Sequence, residues 1–195
     1  MLSRFMKVVL IQHYGLGDWK PMLPIGNLDN IAKSTEEKFI ELVIPEALKA
    51  CRESNFKIPS LIIAQSALES GWLKSSLAYK YNNLLGRKWA TNNVITKNYV
   101  VLKTQEWKDG KYIDIYSKFC IYKSITECFK DYIWLLNNVK KNGKLRYQAV
   151  LNCKDYVCAT DMIKQCGYAT SPTYTNSLRN IITKYNLDRF DGEVK

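Results

Sequence analysis

PSLIIAQSALESGW, from Pro59 to Trp72, reads as a buried helix that ends on a single acidic side chain. Pro59 suits the first helical position, where its missing N–H is not needed, and Gly71 sits where a left-handed residue stops a helix. Leu61, Ala64 and Leu68 follow the spacing of a core-facing stripe. Ile62 and Ile63 widen that stripe until only Gln65, Glu69 and the serines are polar. Glu69 is therefore the residue to explain. In the last turn of a helix its carboxylate meets the negative end of the dipole, and apolar neighbours such as Trp72 disfavour the charged form; both effects raise its pKa. A carboxylic acid held protonated near neutral pH is what a general acid needs to protonate a glycosidic oxygen. An exposed glutamate beside a turn is the alternative that these residues alone leave open.

Upstream, Ser34 with Glu37 makes a capping box that opens a helix through Phe39, Leu42 and Val43. Pro45 is expected to kink that helix or to start a second segment running to about Glu53, packed on the Pro59 helix. Residues 1–33 carry Gly15, Gly17, Pro21, Pro24 and Gly26 without sustained periodicity, and read as an extension of unknown role before a single domain at 34–195. Downstream of Asn82-Asn83 the character changes. A β lobe is expected at about 90–122, because Val94 to Tyr122 is rich in Val, Ile, Tyr and Thr and Asp109-Gly110 is a two-residue hairpin signal. That turn pairs Lys108 with Lys111, Trp107 with Tyr112 and Glu106 with Ile113, and alternation puts Thr104 and Glu106 on one face. Helices return with a second capping box, Ser124 to Glu127, carrying Phe129, Tyr132, Ile133 and Leu136. Two more follow, from about Asp155 to Gln165 before Gly167, and from Pro172 to about Asn186. The fold class expected is mainly α with a small antiparallel β lobe.

The 195 residues, 47% hydrophobic and 24% charged, suit one soluble domain. The opening MLSRFMKVVLIQ has an apolar run of only Val8 to Ile11, short of the ~7 to 15 residues of a signal-peptide core, so no signal peptide is read. No run approaches the ~18 to 20 apolar residues of a membrane span, and no membrane partner is expected. A net charge of +11 would draw any polyanion. Zinc-finger spacing, a glycine-rich phosphate loop and a compact basic–aromatic run are all missing, so nucleic acid is not expected, while charge alone leaves anionic wall polymers open as a partner. Six cysteines lack C-x-x-C spacing; most are expected reduced and buried, with a bridge conceivable only within Cys153, Cys158 and Cys166. His13 is the only histidine, which argues against Cys/His, Ser-His-Asp and multi-histidine zinc chemistry. Carboxylate chemistry remains.

The run Ile58 to Trp72, then Ser75, Leu77, Ala78 and Asn82-Asn83-Leu84-Leu85-Gly86-Arg87-Lys88, resembles the signature of glycoside hydrolase family 73. These are bacterial and phage β-N-acetylglucosaminidases that include flagellar rod-associated peptidoglycan hydrolases. Leu85 and Arg87 stand where the pattern has Phe and Ile. The similarity continues through Phe119, Tyr122, Ser124, Asp131, Arg146-Tyr147 and Gly167-Tyr168-Ala169-Thr170, covering about Thr35 to Asp191. It implies a lysozyme-like fold, Glu69 as general acid, and Glu106, in Thr104-Gln105-Glu106-Trp107, as candidate base from the β lobe. Tyr168 matches a tyrosine of the cleft, and Asn83 matches the N-N-L motif, where it would order the cleft. Trp72, Trp89, Trp107, Tyr112 and Tyr116 could face sugar rings, Trp72 with more reason as core support for Glu69.

The activity implied is an endo-β-N-acetylglucosaminidase that cuts peptidoglycan glycan strands after N-acetylglucosamine, as a monomer without metal or cofactor. A muramidase or lytic transglycosylase, or a catalytically silent wall-binding module, are the alternatives. If Glu106 deprotonates a water on the opposite sugar face the reaction inverts; attack by the 2-acetamido oxygen is the competing route. Without a signal peptide, the setting expected is the bacterial cell wall, reached by phage lysis, on a phage tail or through a dedicated export machine.

Overall fold

In the computed structural model the described residues are 35–108 and 111–194, with the side chains at 106–108 and 112 outside them. The 1–33 extension, Ser34 and the Asp109-Gly110 turn also fall outside. Helix α1 (Glu36–Ser54) is capped by Thr35, whose hydroxyl accepts from Lys38 N at 3.5 Å. A cap at Thr35, one residue later than expected, puts both Glu36 and Glu37 in the first turn, where the helix dipole favours them. The helix also runs through Pro45 without a break, so no second segment starts there. An interior proline costs about 3 kcal/mol. Here Pro45 is on the exposed face, where water can reach the freed carbonyl, while Phe39, Val43, Ala47 and Cys51 are fully buried on either side of it.

Helix α2 (Pro59–Ser70) keeps the limits read from the sequence, with Pro59 first and Gly71 left-handed at φ 59°. Trp72 and Leu73 continue the left-handed backbone at φ 61° and 67°. Such conformations are costly for side chains of this size, so packing has to hold them. Leu73 is fully buried, and Trp72 meets Phe39 and Tyr185 edge-on at 5.5 and 5.6 Å. After α3 (Ser76–Tyr81) come strands β1 (Tyr99–Lys108) and β2 (Lys111–Cys120), antiparallel, with Glu106 opposite Ile113 and Trp107 opposite Tyr112 as the turn required. Leu102 and Phe119 form a small cluster with Leu77 of α3, which docks the lobe on the helices.

Helix α4 (Ile125–Asn138) starts at the second capping box: Ser124 Oγ accepts from Glu127 N at 3.2 Å, and Glu127 reaches back to Lys123 N at 2.8 Å. A minimal hairpin, β3 (Lys140–Lys141) and β4 (Lys144–Leu145), turns at Asn142 and Gly143, both with positive φ. Then follow α5 (Gln148–Leu151), α6 (Tyr156–Gln165), α7 (Tyr174–Lys184) and a 3-10 turn (Leu187–Phe190). Helix α1 packs on α2 and α4, and α2 is flanked further by α6, α7 and the 3-10 turn. No helix among the described residues is long and apolar enough to cross a membrane.

The β lobe is fastened to the helices by two buried polar joints. Asn83 Nδ2 donates to the carbonyls of Arg87 and Cys120 at 3.0 and 2.9 Å, and its Oδ1 accepts from Arg87 N at 2.8 Å. Asp131 of α4, fully buried, accepts from Arg87 Nε at 3.0 Å, from Tyr122 Oη at 2.5 Å and from Asn93 Nδ2 at 3.2 Å. The bridge left open among Cys153, Cys158 and Cys166 is present: Cys153 and Cys158 form a disulfide across the α5–α6 connection, where five residues of separation leave their Cα atoms 5.6 Å apart. The other four are free thiols, three of them buried.

Candidate active site

Glu69 occupies the last turn of α2, half-buried. Burial pushes its carboxyl above the ordinary glutamate range, and a hydrogen bond from Tyr174 pulls partly the other way. Tyr174 Oη donates to Glu69 Oε1 at 2.9 Å. The other oxygen, Oε2, has no hydrogen-bond partner among the described residues. Behind this pair stands Gln65, one helical turn before Glu69 on the same face; its Nε2 donates to Tyr174 Oη at 2.9 Å, and its Oε1 accepts from Tyr132 Oη.

Tyr168 is brought to the same wall. It lies on the turn after α6, stacked on Tyr174 at 6.3 Å and edge-on to Tyr132 at 6.0 Å and Tyr147 at 6.4 Å. Burial, and after it the nearby Glu69 carboxylate, push its phenol well above the ordinary range. The turn is clamped by Arg146, which donates from Nε to Cys166 O at 2.8 Å and from Nη2 to Gly167 O at 2.6 Å. Gly167 is required there: its φ is +80°, and a Cβ would lie 3.0 Å from Arg146 Nη2.

The start of α2 is held by the far end of the chain. Ile58 offers no side-chain cap, and Asp191 supplies one instead: its carboxylate accepts from Ser60 N at 3.0 Å and from Ser60 Oγ at 2.8 Å. Burial pushes the Asp191 carboxyl up to about 6, against the Ser60 bonds that favour its ionised form.

Other residues expected at the site are placed elsewhere. Asn83 is buried with both amide atoms bonded to backbone, so it orders the lobe's base. Trp72 supports the turn after Glu69. The Trp89 ring is taken up by Tyr99 at 4.8 Å and by Lys118 Nζ at 5.2 Å, which makes it part of the lobe's root rather than an open platform. Tyr116 is 62% exposed, opposite Lys103 on the strand pair. The side chains of Glu106, Trp107 and Tyr112 lie outside the described residues. Sequence reasoning missed Tyr174 as a site residue and took Tyr132 only as core. Gln65, four residues before Glu69, was the one local signal for this network. Among the described residues, no three His, Cys, Asp or Glu side chains come together as a metal-holding group.

The family model Glucosaminidase, described as mannosyl-glycoprotein endo-beta-N-acetylglucosaminidase, matches residues 44–187. The exo-glucosaminidase LytG of Bacillus subtilis is 33% identical over 165 residues, covering 83% of this chain and 57% of the relative. A probable N-acetylmuramidase of Lactococcus lactis is 37% identical over 164 residues, covering 83% of this chain and 36% of the relative. Among solved structures, the catalytic domain of the autolysin Auto from Listeria monocytogenes matches with a TM-score of 0.69 at 30% identity, over 88% of this chain and 99% of that one. The chain thus spans little more than half of one curated relative and about a third of the other. The structural likeness bears out the lysozyme-like arrangement of helices with a small antiparallel lobe.

Proposed function

Because the chain belongs to the Glucosaminidase family, we propose that it is a peptidoglycan hydrolase, an endo-β-N-acetylglucosaminidase that cleaves the β-1,4 bond after N-acetylglucosamine with Glu69 as general acid. The observation that carries this reading is the environment of Glu69: a half-buried carboxyl, raised by burial, with Oε1 held by Tyr174 and Oε2 without a protein partner among the described residues. Raising the carboxyl shifts it toward the protonated form that donation to a glycosidic oxygen requires. The names of the B. subtilis and L. lactis relatives, which concern sugar–sugar bonds, point to the same substrate class.

Glu106 is the proposed base. It occupies a strand position two beyond the buried Thr104, opposite Ile113 of β2. Inversion requires the two carboxyls to be ~6.5 to 9.5 Å apart, with a water between Glu106 and the sugar. Attack by the 2-acetamido oxygen would instead ask only for Glu69 and a partner for the acetamido group, and Tyr168, stacked on Tyr174 and within the electrostatic reach of Glu69, is the candidate for that partner. The L. lactis relative, a probable N-acetylmuramidase, favours cleavage of the other β-1,4 bond as the second reading.

The exposed Lys140, Lys141 and Lys144 of the β3–β4 hairpin supply a cationic face for anionic wall polymers. The setting proposed is the bacterial wall, with delivery by phage lysis, a phage tail or a dedicated exporter.

Digestion of purified peptidoglycan by wild type, Glu69→Gln and Glu106→Gln, followed by borohydride reduction and mass spectrometry, tests the reading. Reduced N-acetylglucosamine ends that vanish in Glu69→Gln are expected. Reduced muramic acid ends would favour the second reading, and anhydro ends a lytic transglycosylase. No products from folded wild type would leave a wall-binding module. Residual activity in Glu106→Gln would favour the acetamido route.

A further inference from the structure

Three hydrogen bonds run in line through the core to Glu69. Tyr132 donates to Gln65 Oε1, Gln65 Nε2 donates to Tyr174 Oη at 2.9 Å, and Tyr174 donates to Glu69 Oε1 at 2.9 Å. Gln65 and Tyr132 are fully buried and Tyr174 is 4% exposed, so water does not compete for these groups. The line has one direction. A phenol has a single proton, and the Gln65 N–H occupies the acceptor side of Tyr174, so its O–H points at Glu69. Gln65 can present its N–H to Tyr174 because its carbonyl oxygen is engaged by Tyr132. Burial pushes the phenols of Tyr132 and Tyr174 well above their ordinary range, so both stay donors at any working pH.

We propose that Tyr174, aimed by Gln65 and Tyr132, is a positioning residue that keeps Glu69 Oε1 an acceptor and so confines the transferable proton to Oε2. The inference deepens the proposed function and rests on Glu69 being the general acid. With Oε1 filled by a donor, a neutral Glu69 has to carry its proton on Oε2, the oxygen without a protein partner among the described residues. That proton passes to the departing glycosidic oxygen, which takes the bonding pair as its bond to C1 breaks, while water or the 2-acetamido oxygen supplies a new pair to C1. The Glu69 carboxylate left behind keeps the Tyr174 bond, now charge-assisted, and regains its proton from solvent. The same line of donors thus serves both protonation states without rearrangement, the kind of preorganisation that lowers a barrier. A carboxyl without the Tyr174 bond would share its proton between both oxygens and would be harder to ionise.

Two substitutions separate this role from mere packing. Tyr174→Phe removes the donor and keeps the ring. Gln65→Glu keeps the shape but removes the N–H that aims the Tyr174 hydroxyl; a carboxylate there also repels Glu69, so its shift counts only together with that of Tyr174→Phe. The direct readout is the titration of the Glu69 side-chain carboxyl by carbon-13 NMR, assigned with Glu69→Gln and needing no activity. In both variants Glu69 is expected to titrate at higher pH than in wild type. The alkaline limb of kcat should move the same way, with kcat down about tenfold or more and KM little changed. Should Gln65→Glu fail to fold, Tyr174→Phe alone decides. Unchanged Glu69 titration in folded Tyr174→Phe overturns the inference. Raised titration in a protein whose wild type cuts no glycan would support the carboxyl's orientation while removing the hydrolase reading.

Discussion

Asp131→Asn tests the joint that fastens the β lobe to the helices. The carboxylate is fully buried and takes three donors: Arg87 Nε at 3.0 Å, Tyr122 Oη at 2.5 Å, and Asn93 Nδ2, which is 3.2 Å from each oxygen. The substitution preserves shape but removes the carboxylate that pairs with the Arg87 guanidinium, whose side chain is 17% exposed. It also brings a new NH2 group against that of Asn93. Breaking a buried pair from one side costs about 3 to 5 kcal/mol, and the partial exposure of Arg87 puts this case near the lower figure. For a chain of this length each kcal/mol moves Tm by about 2 to 4 °C, so a fall of roughly 6 to 12 °C is expected. Scanning calorimetry with urea melts at fixed pH measures it. Arg87→Ile, which restores the residue of the family pattern, should also destabilise alone, by leaving Asp131 without its cation. The double variant should cost less than the sum, since it leaves no buried charge unpaired. A loss below about 1 kcal/mol for Asp131→Asn, or strict additivity in the double variant, would refute the view of this joint as a coupled buried ion pair.

Asp191 predicts a pH effect of opposite sign to ordinary acid denaturation. Its carboxyl is pushed up to about 6 from 3.8, so folding favours the neutral form. The stability it contributes is full below the unfolded value, is lost as pH rises toward 6, and stays lost above. The difference in urea midpoint between wild type and Asp191→Asn should therefore change between pH 4 and 6.5 and be flat above; a constant difference across that range would contradict it. Reversal of the exposed Lys140, Lys141 and Lys144 to Glu should weaken sedimentation with intact cell walls at low salt, with cleavage of soluble glycan fragments unchanged. The difference should vanish near 1 M salt, where the screening length is about 3 Å. Equal wall binding at low salt would exclude the hairpin as a docking face.

The features legible in the sequence are those whose cause is local. Pro59 and Gly71 bound α2 because each is fitted to its own backbone position, Ser124 and Glu127 cap α4 across three residues, and the hairpin register follows from a two-residue turn. Asn142-Gly143 carries the same kind of turn signal, but its strands are two residues long and show no periodicity to flag it. The joints are different. Tyr174 reaches Glu69 across 105 residues and Arg87 reaches Asp131 across 44, and nothing near either residue marks its partner. Arg87, which reads as a tolerable departure from the family pattern, is one end of the buried ion pair. Pro45 shows the converse case, a strong local signal overridden by the burial of four side chains around it.

The two proposed carboxyls are held by separate parts of the molecule. Helix α2 is braced from the C-terminal segment at three points: Asp191 caps its start, Tyr174 holds Glu69 at its end, and Tyr185 supports Trp72 in the left-handed turn just beyond. None of these contacts involves the β lobe, so the acid is fixed within the helical body. Glu106 rides on β1, and the lobe that carries it is attached through Asn83, the Asp131 joint and the Leu77–Leu102–Phe119 cluster. The separation of the two groups therefore depends on the lobe's attachment rather than on α2. An inverting route, which needs one water seated between base and sugar, is sensitive to that attachment; an acetamido-assisted route, which draws on Glu69 and the tyrosines of the helical body, is not. The same division explains why charged and polar joints are found at the root of the lobe: hydrogen bonds with fixed directions set an orientation that a sliding apolar contact of three side chains would leave loose.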